Sequence, residues 1–199
     1  MHPTATAIST IDEEELVFQS QHGDRSAYSE LMRLHANGVL NVVYRMCGDA
    51  QLAEDAAQET FLQAWLNLNS YRPQSSLRNW LYRIAVNAAT DMLRKEKRLA
   101  PDVMEDLQLA DTHPGPELIF ARQERVALVR KAIMSLPEAC RSVLVLREYE
   151  GLSYQEISTT LDIPVGTVMS RLNYARGLLK ERLKVQMVTA EVENVGPYP

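Results

Sequence analysis

Residues 52–98 read LAEDAAQETFLQAWLNLNSYRPQSSLRNWLYRIAVNAATDMLRKEKR, and this stretch decides the fold. Its first part, to about Leu68, holds no Pro or Gly and is rich in helix formers. Ala53, Ala57, Phe61, Ala64, Trp65 and Leu68 recur at helical spacing and predict one apolar face. Glu54, Asp55, Gln58 and Glu59 fall off that face near the helix start, where the helix dipole favours acids. A break follows over 67–76, with Pro73 inside it, and a second helix is expected from about Leu77 to Lys97. Between Tyr71 and Arg98 seven basic residues stand against Asp91 and Glu96, a net charge of +5. Tyr71, Trp80 and Tyr82 are interleaved with these bases. Aromatics among cations suit a nucleic-acid single strand, because they offer π-faces to bases and charge to phosphates.

Upstream, residues 1–22 are polar and acidic, without sustained periodicity, and are expected to be a flexible N-terminal segment, with Glu13–Phe18 as an alternative helix start. Asp24 is a candidate N-cap for a helix to about His35. Gly38 is read as an interruption before an apolar helical run that stops at Gly48, and Asp49 as the cap of the Leu52 helix. Residues 23–98 thus form one small helical domain. Residues 99–116, LAPDVMEDLQLADTHPGP, contain three prolines and read as a flexible acidic linker.

A second helical domain is expected over 117–184. Leu118, Val126, Val129, Ile133 and Leu136 mark one helix, and Pro137 restarts the chain for the next. Ser153 and Glu156 have capping-box spacing ahead of Ile157 and Leu161. Asp162-Ile163-Pro164 is a tight break. Beyond it Val168, Leu172, Ala175 and Leu179 face inward while Ser170, Asn173, Arg176 and Lys180 fall on the opposite face. Helix, short turn and helix with a polar, basic outer face is the helix-turn-helix pattern. Residues 185–199 are expected to be a disordered tail.

Composition bounds the rest. The net charge is −5, but it is segregated: 1–30 carries net −5 and 99–124 net −5, whereas 165–184 carries net +4. Two basic patches are therefore separated by acid. The two cysteines, Cys47 and Cys140, lie inside helical patterns and read as reduced buried thiols. The four histidines are scattered without metal-ligand spacing, and no phosphate-binding glycine loop or nucleophile elbow is present. No apolar run approaches the ~20 residues of a membrane span, and no signal-peptide pattern opens the chain. These features predict an all-α, soluble, intracellular protein of two small helical domains, with no metal, no cofactor, no small-molecule substrate and no enzymatic activity. A free-standing helix-turn-helix regulator would need a dimer interface, and no heptad seam supplies one.

Both halves resemble one family, the extracytoplasmic-function (ECF, group IV) sigma factors of bacterial RNA polymerase. DAAQETFLQAW at 55–65 is similar to the family's core-binding helix, 70–98 to its minus-ten segment, and 136–183 to its minus-thirty-five domain. The resemblance implies that Asp55, Gln58 and Glu59 meet the polymerase clamp helices, supported by Phe61 and Trp65. It implies that Tyr71, Arg72 and Ser75 capture a flipped base, an extrusion costing a few kcal/mol that a pocket must offset. Arg83, Asn87 and Asp91 would contact the minus-ten strand. Thr167, Ser170, Arg171, Asn173 and Arg176 would meet the minus-thirty-five duplex. Departures from the family pattern fall at Pro73, Asp91, Met169, Asn173 and Tyr174. The implied partners are core RNA polymerase, through its clamp helices and flap, and promoter DNA, duplex and single-stranded. An anti-sigma factor, membrane-anchored in many relatives, is also implied. Localisation would be cytoplasmic, at the inner face of the membrane when so held.

Overall fold

The protein is described by a computed structural model covering residues 10–73, 76–99 and 117–193, with side chains described over 13–73, 76–99 and 126–184. Its described elements are all helical: α1 (Thr10–Gln21), α2 (Arg25–Cys47), α3 (Ala50–Asn67), a 3-10 turn (Leu68–Ser70), α4 (Leu77–Leu99), α5 (Glu117–Met134), α6 (Glu138–Glu148), α7 (Tyr154–Leu161) and α8 (Val165–Glu193).

Local chemistry sets several boundaries. Asp24 caps α2 by accepting from the amides of Ser26 and Ala27, and Asp49 caps α3 through the Leu52 amide. Gly48 ends α2 at φ 73°, the left-handed conformation glycine adopts without penalty. Ser153 and Glu156 close a reciprocal capping box on α7.

In the first domain α2, α3 and α4 pack on one another, and α1 lies on α2. Val39, Val42, Val43 and Met46 of α2 are fully buried, facing Ala53, Ala56 and Ala64 of α3 and Ala85 and Ala89 of α4. The alanines let three helix axes approach closely. In the second domain α6 and α7 pack on α8, with Val143, Leu146, Ile157, Val168, Leu172 and Ala175 at 0% exposure. The apolar core runs without a gap from one domain to the other, because α2 also touches α5 and α6, and α4 touches α7.

Three expectations change. Residues 10–21, expected to be flexible, form α1, and Gln21 ties it down by donating from Nε2 to the Leu68 carbonyl at 2.9 Å and the Tyr71 carbonyl at 3.3 Å. Gly38 does not interrupt α2, which is continuous for 23 residues. Instead Gly38 makes room: a Cβ there would stand 2.5 Å from Tyr82 Oη. The last helix continues to Glu193, past the expected start of a disordered tail at 185. The expected linker, 100–116 in particular, lies outside the described residues.

Candidate nucleic-acid and protein interfaces

The first surface is built on α2 and α3. Trp65 and Phe61 are half-buried rather than presented outward. The Trp65 ring lies 4.8 Å from that of Tyr28, whose hydroxyl donates to the Phe61 carbonyl. Burial pushes the Tyr28 phenol up to about 12. These aromatics fix the spacing of α2 and α3. Above them a cleft of about 600 Å³ opens, lined by Met32, Leu40, Gln58, Leu62 and Trp65 among others.

Asp55 and Gln58 are exposed beside this cleft, and Glu59 is held by a hydrogen bond from Gln63. Leu40 is 43%, Leu62 52% and Leu66 64% exposed. Leu40 and Leu62 line the cleft, so exposed apolar surface borders the polar Gln58 there. Leu62 and Leu66 are not among the residues expected at this surface; their signal in the sequence is four-residue spacing after Gln58, off the Ala53–Ala57–Ala64 face.

The second surface is α4. Arg83, Asn87 and Asp91 follow one another at four-residue spacing and are all exposed, forming one stripe. Asp91 stands 3.8 Å from Arg94, and Arg83 3.8 Å from Asp162. The preceding loop differs from expectation. Tyr71 is only 8% exposed, with its ring 5.2 Å from that of Trp80, so it belongs to the core and is not presented for a base. Burial raises its phenol above the ordinary value. Arg72 is exposed, but its guanidinium donates to the carbonyls of Asn69 and Tyr71 and braces the turn. Ser75 lies outside the described residues.

The third surface is α8 with α7. The turn between them places Asp162 at φ 54° and is locked by Ser158, whose hydroxyl donates to the Ile163 carbonyl. Val168, Leu172 and Ala175 are buried beneath α8, so Ser170, Asn173 and Arg176 must point outward, and all three are exposed. Thr167 and Arg171 are half-buried at the edge of this face. Ser170 donates to the Thr167 carbonyl. Arg176 is held by Glu148 of α6, with Nη2 at 2.6 Å and Nε at 3.2 Å from one carboxylate oxygen. That hydrogen bond raises the Arg176 guanidinium above its ordinary value. Met169 and Tyr174, 48% and 55% exposed, complete the face. This is the geometry of a recognition helix presented by a packed hairpin.

Two family models match the chain: Sigma-70 region 2 over residues 31–99, and Sigma-70 region 4 over residues 127–179. The chain is 38% identical over 181 residues to the RNA polymerase sigma-H factor of Pseudomonas aeruginosa, covering 86% of this chain and 94% of that one. It is 34% identical over 178 residues to the ECF RNA polymerase sigma factor SigW of Bacillus subtilis, covering 83% and 94%. The chain belongs to the ECF sigma factors.

The structure of the sigma factor RpoE in complex with the anti-sigma factor NepR from Bartonella quintana matches this sigma factor with a TM-score of 0.63 and 25% identity. That match covers 79% of this chain and 97% of RpoE. As a sigma factor the protein serves RNA polymerase in promoter-directed initiation and is not itself an enzyme. No described helix is long and apolar enough to cross a membrane.

Proposed function

We propose that each of the three surfaces takes one partner of the initiation complex. On α3, Asp55, Gln58 and Glu59 dock the polymerase clamp helices, with Leu62 and Leu66 supplying the apolar contact and the cleft beside them receiving a partner helix. On α4, Arg83, Asn87 and Asp91 follow the unpaired minus-ten strand. On α8, Ser170, Asn173 and Arg176 enter the major groove of the minus-thirty-five element, with Thr167 and Arg171 at the phosphates. Arg72 and Ser75 take the flipped base, with Tyr71, next to Arg72 in the chain, packed on Trp80.

The observation that carries this reading is one chain holding both an exposed Gln58–Leu62–Leu66 face and a fully packed helix-turn-helix with polar outer residues. Neither a simple repressor nor a packing helix needs the first. The similar RpoE is in complex with the anti-sigma factor NepR; an anti-sigma polypeptide on this chain would inhibit by covering the α2–α3 cleft, and a membrane anchor on it would hold the sigma factor at the inner membrane face. The test is run-off transcription from a promoter library with purified chain and core polymerase. Selective initiation with shared upstream and downstream elements is expected. A chain that is folded and binds core polymerase yet gives no selective start sites would sink the reading.

A further inference from the structure

Two bare apolar side chains stand on the outer face of α8. Met169 and Tyr174 are both exposed, and neither packs on the core. Tyr149 is the third exposed large hydrophobic side chain among the described residues from α6 to α8, and Arg45 covers it with its guanidinium 4.1 Å from the ring centroid. No ring or guanidinium of the described residues stacks on Tyr174 in that way.

Their direction follows from what α8 buries. Val168, Leu172 and Ala175 are fully buried and point into the domain. At about 100° per residue, Ser170 and Asn173 then lie on the outermost line of the helix, with Met169 and Tyr174 about 70° to either side of it. The outermost pair is short, so it does not hold the flanking side chains away from a surface in front of the helix. A major groove about 12 Å wide admits one helix, and the two apolar side chains then lean toward opposite walls. They are also about 7.5 Å apart along the helix axis, roughly two base-pair steps, so they reach different pairs.

We propose that Met169 and Tyr174 are specificity-determining residues that each seat the C5-methyl of a thymine, so that the upstream element carries an A·T pair at two positions. This rests on the assignment of α8 to the minus-thirty-five duplex. The thymine methyl is the apolar landmark of the major groove, where the other distinguishing groups on the base edges donate or accept hydrogen bonds. A thioether or an aromatic face set against those groups would strip their water and return no hydrogen bond. Polar readout on the same face is restrained. Arg176 is held on Glu148, the Ser170 hydroxyl donates to the Thr167 carbonyl, and Arg171 is half-buried. The net +4 over 165–184 draws the helix to any duplex, and attraction to phosphates carries no sequence information.

The test uses holoenzyme, assembled from the full chain and core polymerase, on a promoter duplex recovered from the run-off library. Each thymine of the upstream element is replaced in turn by deoxyuridine, which removes the methyl and keeps every hydrogen-bonding group. Competition binding reads the affinity. With the native chain two thymines should be sensitive, each losing about fourfold, the factor that one buried methyl supplies. Met169→Ala should abolish the loss at one of them and Tyr174→Ala at the other. Met169→Leu and Tyr174→Phe stay apolar and should keep it. Both positions are exposed, so thermal midpoints should match the native chain's. Residues that only shaped the helix would weaken thymine and deoxyuridine promoters alike.

An upstream element without A·T pairs, indifference of the native chain to deoxyuridine, or sensitivity that survives in both alanine variants overturns the proposal. Holoenzyme carrying Asn173→Ala/Arg176→Ala separates this failure from that of the underlying assignment. Unaltered discrimination among upstream variants would mean that α8 does not read the duplex, and both readings would fall. Lost discrimination, with a native chain indifferent to deoxyuridine, would leave the assignment standing and remove the methyl contacts.

Discussion

Gly38→Ala sets helix propensity against packing, and the geometry decides which wins. Gly38 lies inside α2 with ordinary helical φ, so alanine there should stabilise by roughly 1 kcal/mol through reduced chain entropy. The added Cβ, however, would stand 2.5 Å from Tyr82 Oη and 3.3 Å from Cε1 and Cζ. A hydroxyl at the end of a free side chain would swing aside. Tyr82 is 3% exposed, and its hydroxyl donates to Glu150 across the domain joint, so the ring has nowhere to go without losing that bond. Forcing a methyl into such a place costs about 1–3 kcal/mol, which outweighs the helix gain.

The expected result is a net loss of about 1 kcal/mol, read from urea unfolding midpoints by tryptophan fluorescence. Tyr82→Phe removes the 2.5 Å contact and leaves only the tighter-than-usual 3.3 Å ones. In that background Gly38→Ala should become neutral or stabilising. The two changes should therefore couple by about 1–2 kcal/mol in a double-mutant cycle. Stabilisation by the single alanine variant together with strict additivity would show that Tyr82 is not confined, and the account of Gly38 would fail.

Tyr71→Ala should lower stability by about 3–5 kcal/mol, as for any large buried aromatic. A thermal midpoint equal to the native chain's would return Tyr71 to the DNA surface. Burial alone would raise the Glu138 carboxyl, but the Lys97 hydrogen bond, with Arg94 nearby, holds it below its ordinary 4.5. A depressed acid contributes stability fully above its ordinary value and loses it as pH falls through the folded value. The thermal-midpoint gap between the native chain and Glu138→Gln should thus be largest near neutrality and shrink as pH falls below 4.5; a pH-independent gap would contradict this. Leu62→Glu should leave the melting temperature unchanged yet abolish co-elution with core polymerase, and retained co-elution would remove Leu62 from that surface. Arg176→Ala should reduce discrimination among upstream promoter variants by ~1–3 kcal/mol, measured by competition binding of holoenzyme; unaltered discrimination would exclude base readout.

What could be read from the sequence was encoded within a few residues of where it acts. The Ser153–Glu156 box, the Asp24 and Asp49 caps and the Val168–Leu172–Ala175 stripe are all short-range, and each is present as expected. What escaped was settled by distant partners. The N-terminal segment carries little helical patterning, and α1 is held by Gln21 on carbonyls nearly fifty residues away and by the Glu13–His35 pair. Gly38 resembled a helix breaker, although its function depends on Tyr82. Tyr71 looked available because aromatics among bases suggest stacking, but Trp80 and α4 claim its ring. No local pattern pairs Asp162 or Glu138 with α4, and only the fold sets them against it.

One helix serves both the cleft and the joint. Tyr28, Met32, Ala36 and Leu40 of α2 line the cleft, while its end supplies the Met46 carbonyl to Arg141 and Gly48 to the Met134 side chain. At 23 residues the helix is about 35 Å long and stiff, so it fixes the geometry of both sites. Stiffness alone carries no coupling: a ligand shifts an equilibrium only by its differential affinity for the two states. A partner confined to the cleft leaves the Met46–Arg141 contact between the domains as it is. A clamp-helix peptide should therefore bind without changing the scattering radius of the chain. Expansion by the peptide alone would mean that the cleft and the interdomain contact cannot be occupied together.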